Sequence, residues 1–187
     1  MQSSYAQTIS CQCGHKSTTY GTEAKLTVYL APILKNGTLQ RYLQRSFIDR
    51  VEYRCDSCGT TAERPKIRKF LSTGDVVCVH ISRVGPDYRK ITANASIPLV
   101  LDLGKLVEEG NGNGESQVYE LRSVVKHSGS ANSGHYVACT VDPTSKSGGW
   151  QFFNDWSDVK KHGDEKFALG TAMGSPLLCF FQRVRKE

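Results

Sequence analysis

The sequence predicts an α+β fold, mostly antiparallel β, from three features of its apolar pattern. Residues Leu26 to Ala31 alternate, with Leu26, Val28 and Leu30 on one face and Thr27 and Tyr29 on the other, as a half-buried strand requires. Val76 to Ile81 is nearly continuous in apolar residues and reads as a central strand. One segment has helical spacing: Leu39, Leu43 and Phe47 recur every four residues behind Thr38, whose hydroxyl suits an N-cap.

The remaining elements follow the same logic. Cys139 and Cys179 lie in apolar, strand-like runs, Tyr136 to Val141 and Leu177 to Phe181, as Cys78 does in Val76 to Ile81. There a cysteine acts as a small buried hydrophobe. Pro98 before Leu99, Val100 and Leu101 fits a strand start or an edge, because it cannot donate to a ladder. Residues Glu108 to Ser116 alternate Gly and Asn with no apolar content and predict a flexible surface loop; a second mobile stretch is expected from Ser128 to Gly134.

Of the seven cysteines, the other four form two close pairs, Cys11 with Cys13 and Cys55 with Cys58, each followed by a glycine that permits a tight turn. Two such pairs suit a tetrahedral structural zinc site clipping together two hairpins too thin to bury a core. The one-residue gap between Cys11 and Cys13 departs from the commoner two-residue spacing, and His15 is the natural substitute ligand. A decayed site and a pair of disulfides are the competing readings; Met1 to Tyr5 is polar, with no apolar signal segment to favour the second.

A histidine reached through the Gly- and Ser-rich stretch Ser128 to Gly134 suggests chemistry. His135 opens the strand-like run Tyr136-Val137-Ala138, and Trp150-Gln151-Phe152-Phe153 ends in Asn154-Asp155. A thiol becomes a nucleophile when an imidazole takes its proton, and a third group must fix the imidazole's tautomer. Asn serves as that third group in Cys-His-Asn triads. Taken alone, a lone histidine at a strand edge is usually structural and an Asn-Asp pair is usually a turn. Successive side chains on a strand point to opposite faces, so one of Asn154 and Asp155 is expected to face His135, unless a kink brings in the other.

The ordered run Tyr119-Glu120-Leu121, Val124 to Gly129, Ser133 to Ala138, Trp150, Phe153, Asn154, Asp155 and Val159 resembles the ubiquitin-specific proteases, which are cysteine-dependent deubiquitinating enzymes. The phrase Val51 to Cys55 is similar to their finger region, and the Thr38 helix resembles the one they place between zinc knuckles. The resemblance covers nearly the whole chain. It implies a papain-like cysteine-protease palm over residues 70–187, zinc-ribbon fingers over 11–58, and no helical thumb. It further implies His135 as general base, Asn154 as its orienting residue, Asp155 as a shaper of the pocket, Cys11, Cys13, Cys55 and Cys58 on structural zinc, and ubiquitin or a ubiquitin-conjugated protein as partner.

The family's Gly-Asn-Thr-Cys type nucleophile segment has no counterpart here, and none of Cys78, Cys139 and Cys179 sits at a helix start or beside a positive cluster. Three functions follow as expectations. The chain is the C-terminal part of a deubiquitinase, inactive alone and completed by a cysteine from another polypeptide or a preceding segment. Otherwise it is a ubiquitin-binding scaffold, or a zinc-ribbon nucleic-acid binder. The net charge of +6 and the cluster Arg64, Lys66, Arg68 and Lys69 invite the last reading, but acids are interspersed throughout and nucleic acid is disfavoured. No apolar stretch approaches the ~20 residues of a membrane span, so a cytoplasmic or nuclear globular chain is expected.

Overall fold

The computed structural model describes residues 1–110, 116–130, 133–144, 149–155, 160–162 and 175–185. Two sheets share one chain. The smaller sheet, here labelled the fingers, holds β1 (Ser3–Ser10), β2 (Lys16–Glu23), β4 (Ile48–Arg54) and β5 (Thr61–Ser72) in the order β2-β1-β5-β4, antiparallel throughout. The larger sheet, here labelled the palm, holds β3 (Leu26–Tyr29), β6 (Val76–Ser82), β8 (Val118–Gly129), β9 (Gly134–Val141), β10 (Trp150–Phe153), β11 (Lys160–His162) and β12 (Pro176–Arg183), ordered β11-β10-β9-β8-β12-β6-β3. A short strand, β7 (Val100–Asp102), pairs with the start of β8.

The alternation in Leu26 to Tyr29 makes an edge strand, which pairs with β6 in parallel. The strand stops two residues earlier than the alternation to Ala31 predicts. Leu30 is buried all the same, but it starts a helix that the sequence did not announce, α1 (Leu30–Asn36), whose Ile33 joins Leu30 in the core. β6 lies inside the sheet between β12 and β3, and its consecutive buried residues Val77, Cys78 and Val79 are the mark of a strand covered on both faces. Between Lys90 and Leu103 only β7 is strand, at the place where Leu99 to Leu101 was expected to be one; Lys90 itself makes an isolated bridge to Val84. Pro98 precedes β7 as its missing N–H demands.

The predicted helix is α2 (Leu39–Ser46). Thr38 is extended, and its hydroxyl accepts from the Arg41 amide at 3.2 Å. Leu39, Leu43 and Phe47 all go into the core, with Phe47 against Phe70 at 5.0 Å between ring centroids. Gln40 uses its amide to bond both the carbonyl and the N–H of Asp102, at 2.7 and 3.0 Å, which caps the open edge of β7. Thr38→Ala is expected to cost about 1 kcal/mol of stability, the usual worth of such a cap, read as a shifted urea midpoint with unchanged slope.

The fingers and palm join through β5, which begins in one sheet and ends in the core at Phe70. Arg68 sits over the Tyr5 ring, 3.8 Å from its centroid, and pairs with Glu23. Lys69 points to the other face of β5 and donates to the Lys105 carbonyl at 2.6 Å. The basic cluster that invited a nucleic-acid reading is therefore split between two faces, with Arg68 committed to this joint. Residues 111–115 of the predicted flexible loop and Val159 of the family pattern lie outside the described residues. No helix among the described residues is long and apolar enough to cross a membrane.

Candidate functional site

His135 is the second residue of β9, across from Ser128 of β8. On its other side β9 pairs with β10, Phe153 opposite Ala138, so the chain leaving β10 runs back toward His135. Asn154 Oδ1 is hydrogen-bonded to His135 Nε2. Asp155 Oδ2 lies 3.2 Å from Nδ1 on the opposite side of the ring.

Strand alternation alone would have sent one of these two side chains away. It does not apply, because β10 ends at Phe153 and Asp155 takes a left-handed backbone, φ 44°, which Asp adopts more readily than most residues. The kink lets consecutive residues flank both ring nitrogens. Both bonds can be donated at once only by a ring carrying two N–H groups. The His135 and Asp155 side chains are 48% and 61% exposed, so their ion pair is open to water and to an incoming group.

The remaining thiols are unsuited to attack. Cys78, Cys139 and Cys179 are buried in β6, β9 and β12. Burial pushes the Cys139 thiol up to about 11 and raises those of Cys78 and Cys179 as well. They fill the core, as their apolar sequence surroundings indicate.

The other four cysteines converge at the tip of the fingers. In the first turn Gly14 N donates to Cys11 O at 3.0 Å and Cys11 N to His15 O at 2.8 Å. In the second, Gly59 N donates to Cys55 O at 2.8 Å and Cys55 N to Thr60 O at 3.0 Å. Gly14 and Gly59 both need positive φ, 91° and 71°, to close these knuckles. The sulfurs pair crosswise, Cys11 with Cys58 and Cys13 with Cys55, each at 3.7 Å, and all four lie within 4.8 Å of one another. A tetrahedral zinc with ~2.3 Å bonds would set its sulfurs ~3.8 Å apart, so the donor set fits.

Cys13 completes the quartet despite the short spacing, and His15, the expected substitute, contributes its backbone instead. The thiols differ in acidity. The Thr60 hydroxyl and backbone pull Cys58 down to about 6. A backbone bond from His15 favours the Cys13 thiolate, yet Cys11, desolvation and the other two sulfurs carry Cys13 up to about 11.

Two long-range connections were not legible in the sequence. Arg83, 4% exposed, donates to the carbonyls of Pro176, Ile91 and Ala93 at 2.7, 3.1 and 2.9 Å. Lys90 reaches His127 across the palm. Neither has a local signal, since the partners are 8 to 93 residues apart.

Residues 2–175 match the family model for ubiquitin carboxyl-terminal hydrolases. The chain belongs to that family. A probable ubiquitin carboxyl-terminal hydrolase FAF from Drosophila melanogaster is 26% identical over 86% of the chain, and ubiquitin carboxyl-terminal hydrolase 26 from Arabidopsis thaliana is 34% identical over 56% of it. The match covers 7% and 10% of those relatives' lengths. Among solved structures, a SAGA DUB module bound to monoubiquitin superposes over 100% of the chain and 41% of its own, with a TM-score of 0.79 at 22% identity. The ubiquitin-specific protease fold, α+β and mostly antiparallel, is thus the fold of this chain.

Proposed function

We propose that this chain is the fingers-and-palm part of a thiol-dependent deubiquitinase, carrying the histidine half of its catalytic site. The observation that supports it most is the engagement of His135 by Asn154 on one ring nitrogen, which leaves Nδ1 of this half-exposed ring with Asp155 beside it among the described residues. Asn154 Oδ1 accepts from Nε2–H and so fixes the tautomer in which Nδ1 can take a proton. A thiol brought to Nδ1 loses its proton there, the thiolate attacks the carbonyl carbon of the ubiquitin C-terminal isopeptide bond, and the imidazolium returns the proton to the departing amine. Water then hydrolyses the thioester with the same ring as base. Asp155 pairs with Nδ1–H only while the ring carries both protons, as in the imidazolium that follows thiol deprotonation; in the neutral ring Nδ1 is a bare acceptor that the thiol, not the carboxylate, can bond.

The attacking cysteine is not among the chain's seven: three are core and four form the finger cluster. It comes from another polypeptide segment. Zinc on Cys11, Cys13, Cys55 and Cys58 would supply only structural cross-linking, fixing the two knuckles relative to each other. Ubiquitin, held between fingers and palm, is the partner.

The test is hydrolysis of ubiquitin-AMC by the purified chain, alone and with a separately expressed thumb segment bearing the family's cysteine box. Turnover only in the mixture is the expected result. Turnover by the chain alone would overturn the assignment of the nucleophile. Silence in both, together with measurable ubiquitin binding, would replace the half-enzyme by a ubiquitin-binding scaffold.

A further inference from the structure

His135 stands near the turn of the β8–β9 hairpin, where ladder bonds alone give little rigidity. A contact from outside the hairpin holds it. Lys90 Nζ donates to three acceptors of β8: Nδ1 of His127 at 3.0 Å, the His127 carbonyl at 2.9 Å and the Gly129 carbonyl at 2.7 Å. An ammonium has three protons, and each finds a partner.

The anchor and the cargo of this contact are both defined. Lys90 closes a loop whose base is pinned by Gly85 N to Arg89 O at 2.9 Å, by the Val84–Lys90 bridge, and by Ile91 N to Arg83 O at 2.7 Å. Arg83 is in turn buried and bonded to Pro176 at the start of β12. On the other end, the His127 ring packs against Tyr136, with centroids 4.6 Å apart and the planes tilted by 36°. It also lies against Gly134, where an added Cβ would come within 2.2 Å of Nε2. His127 therefore touches both chain neighbours of His135.

We propose that Lys90 is a positioning residue: through His127 it fixes Gly134 and Tyr136, and thereby the place of the His135 imidazole relative to Asn154 and the incoming thiol. This rests on the reading of His135 as a catalytic base. The lysine ammonium can only donate, so His127 must accept at Nδ1 and carry its proton on Nε2, whatever the chain's activity.

Histidine-selective 15N NMR on the intact chain tests this first. His127 is expected in the Nε2–H form; a Nδ1–H form in the unmodified chain overturns the proposal without any variant. Lys90→Met is then expected to erase that preference and to speed amide exchange at Gly134, His135 and Tyr136 about tenfold or more, with the amides of β6 and β12 unchanged. Exchange that stays at wild-type rates at those three residues, or rises equally in β6 and β12, overturns it. In the ubiquitin-AMC mixture with the thumb segment, Lys90→Met should lower kcat about tenfold at constant KM, the pattern of a misplaced catalytic group. A wild-type mixture without turnover sinks the reading of His135 and leaves the NMR result to decide the clamp; wild-type turnover that Lys90→Met does not change sinks the clamp alone.

Discussion

His135→Ala is expected to remove ubiquitin-AMC turnover from the complemented mixture, with kcat lowered on the order of 10⁴-fold. The ring has two tasks in sequence: it deprotonates the thiol, and it reprotonates the leaving amine. No other described side chain is placed to take over either. Its side chain is 48% exposed at the mouth of a strand, so truncation removes little packing, and circular dichroism should show the fold retained. Asn154→Ala should cost less, on the order of 10²-fold, because the ring remains and only its tautomer and aim are freed. If Asp155→Ala proves costlier than Asn154→Ala, the orienting role passes to Asp155, whose carboxylate holds the other nitrogen at 3.2 Å. Retained turnover in His135→Ala would end the half-site interpretation.

Chelation of a metal held by the four finger cysteines is expected to have the largest effect on stability. The outer strands β2 and β4 contain no buried residue, and at the tip of the fingers the buried side chains are Cys11 and Cys55. Nothing apolar there offsets the entropy of ordering two knuckles. Structural zinc is worth about 10–16 kcal/mol in isolated zinc-finger peptides near neutral pH. Even a loss of about 5 kcal/mol would lower Tm by roughly 10–20 °C in a chain of this size. Chelator treatment should therefore lower Tm and speed amide exchange in β1, β2, β4 and the finger end of β5, while β6 and β12 keep their protection. Cys58→Ser should reproduce part of the loss, and His15→Ala should leave Tm unchanged because its backbone, not its ring, serves the knuckle. An unchanged melting curve after complete chelation would show that the four sulfurs hold no stabilising ion.

Local pattern carried much of this molecule. The Thr38 cap, the four-residue spacing of Leu39, Leu43 and Phe47, and the double burial of β6 are short-range consequences of side-chain type, and all are legible as written. The cysteine pairs and the His135 to Asp155 stretch stand out for another reason: a metal site and a thiol site, as proposed for them, accept few residue types. The end of β3 was less legible. Leu30 continues the alternation, yet a buried residue at that position serves equally well as the first turn of a helix.

By itself the sequence determined the mostly antiparallel α+β class and the ubiquitin-specific protease family, and it singled out the four cysteines that the fold brings together and the candidate His135 with Asn154 and Asp155. The tertiary structure decided which atoms meet. Asp155 joins Asn154 on the imidazole because the period of two ends where the strand ends and a left-handed residue follows. Cys13 rather than His15 completes the quartet because the opposing knuckle, more than forty residues away, sets where the fourth sulfur must lie. Lys90 meets His127 because β6 and β8 flank β12 in one sheet, and a contact spanning 37 residues leaves no periodic trace in the chain.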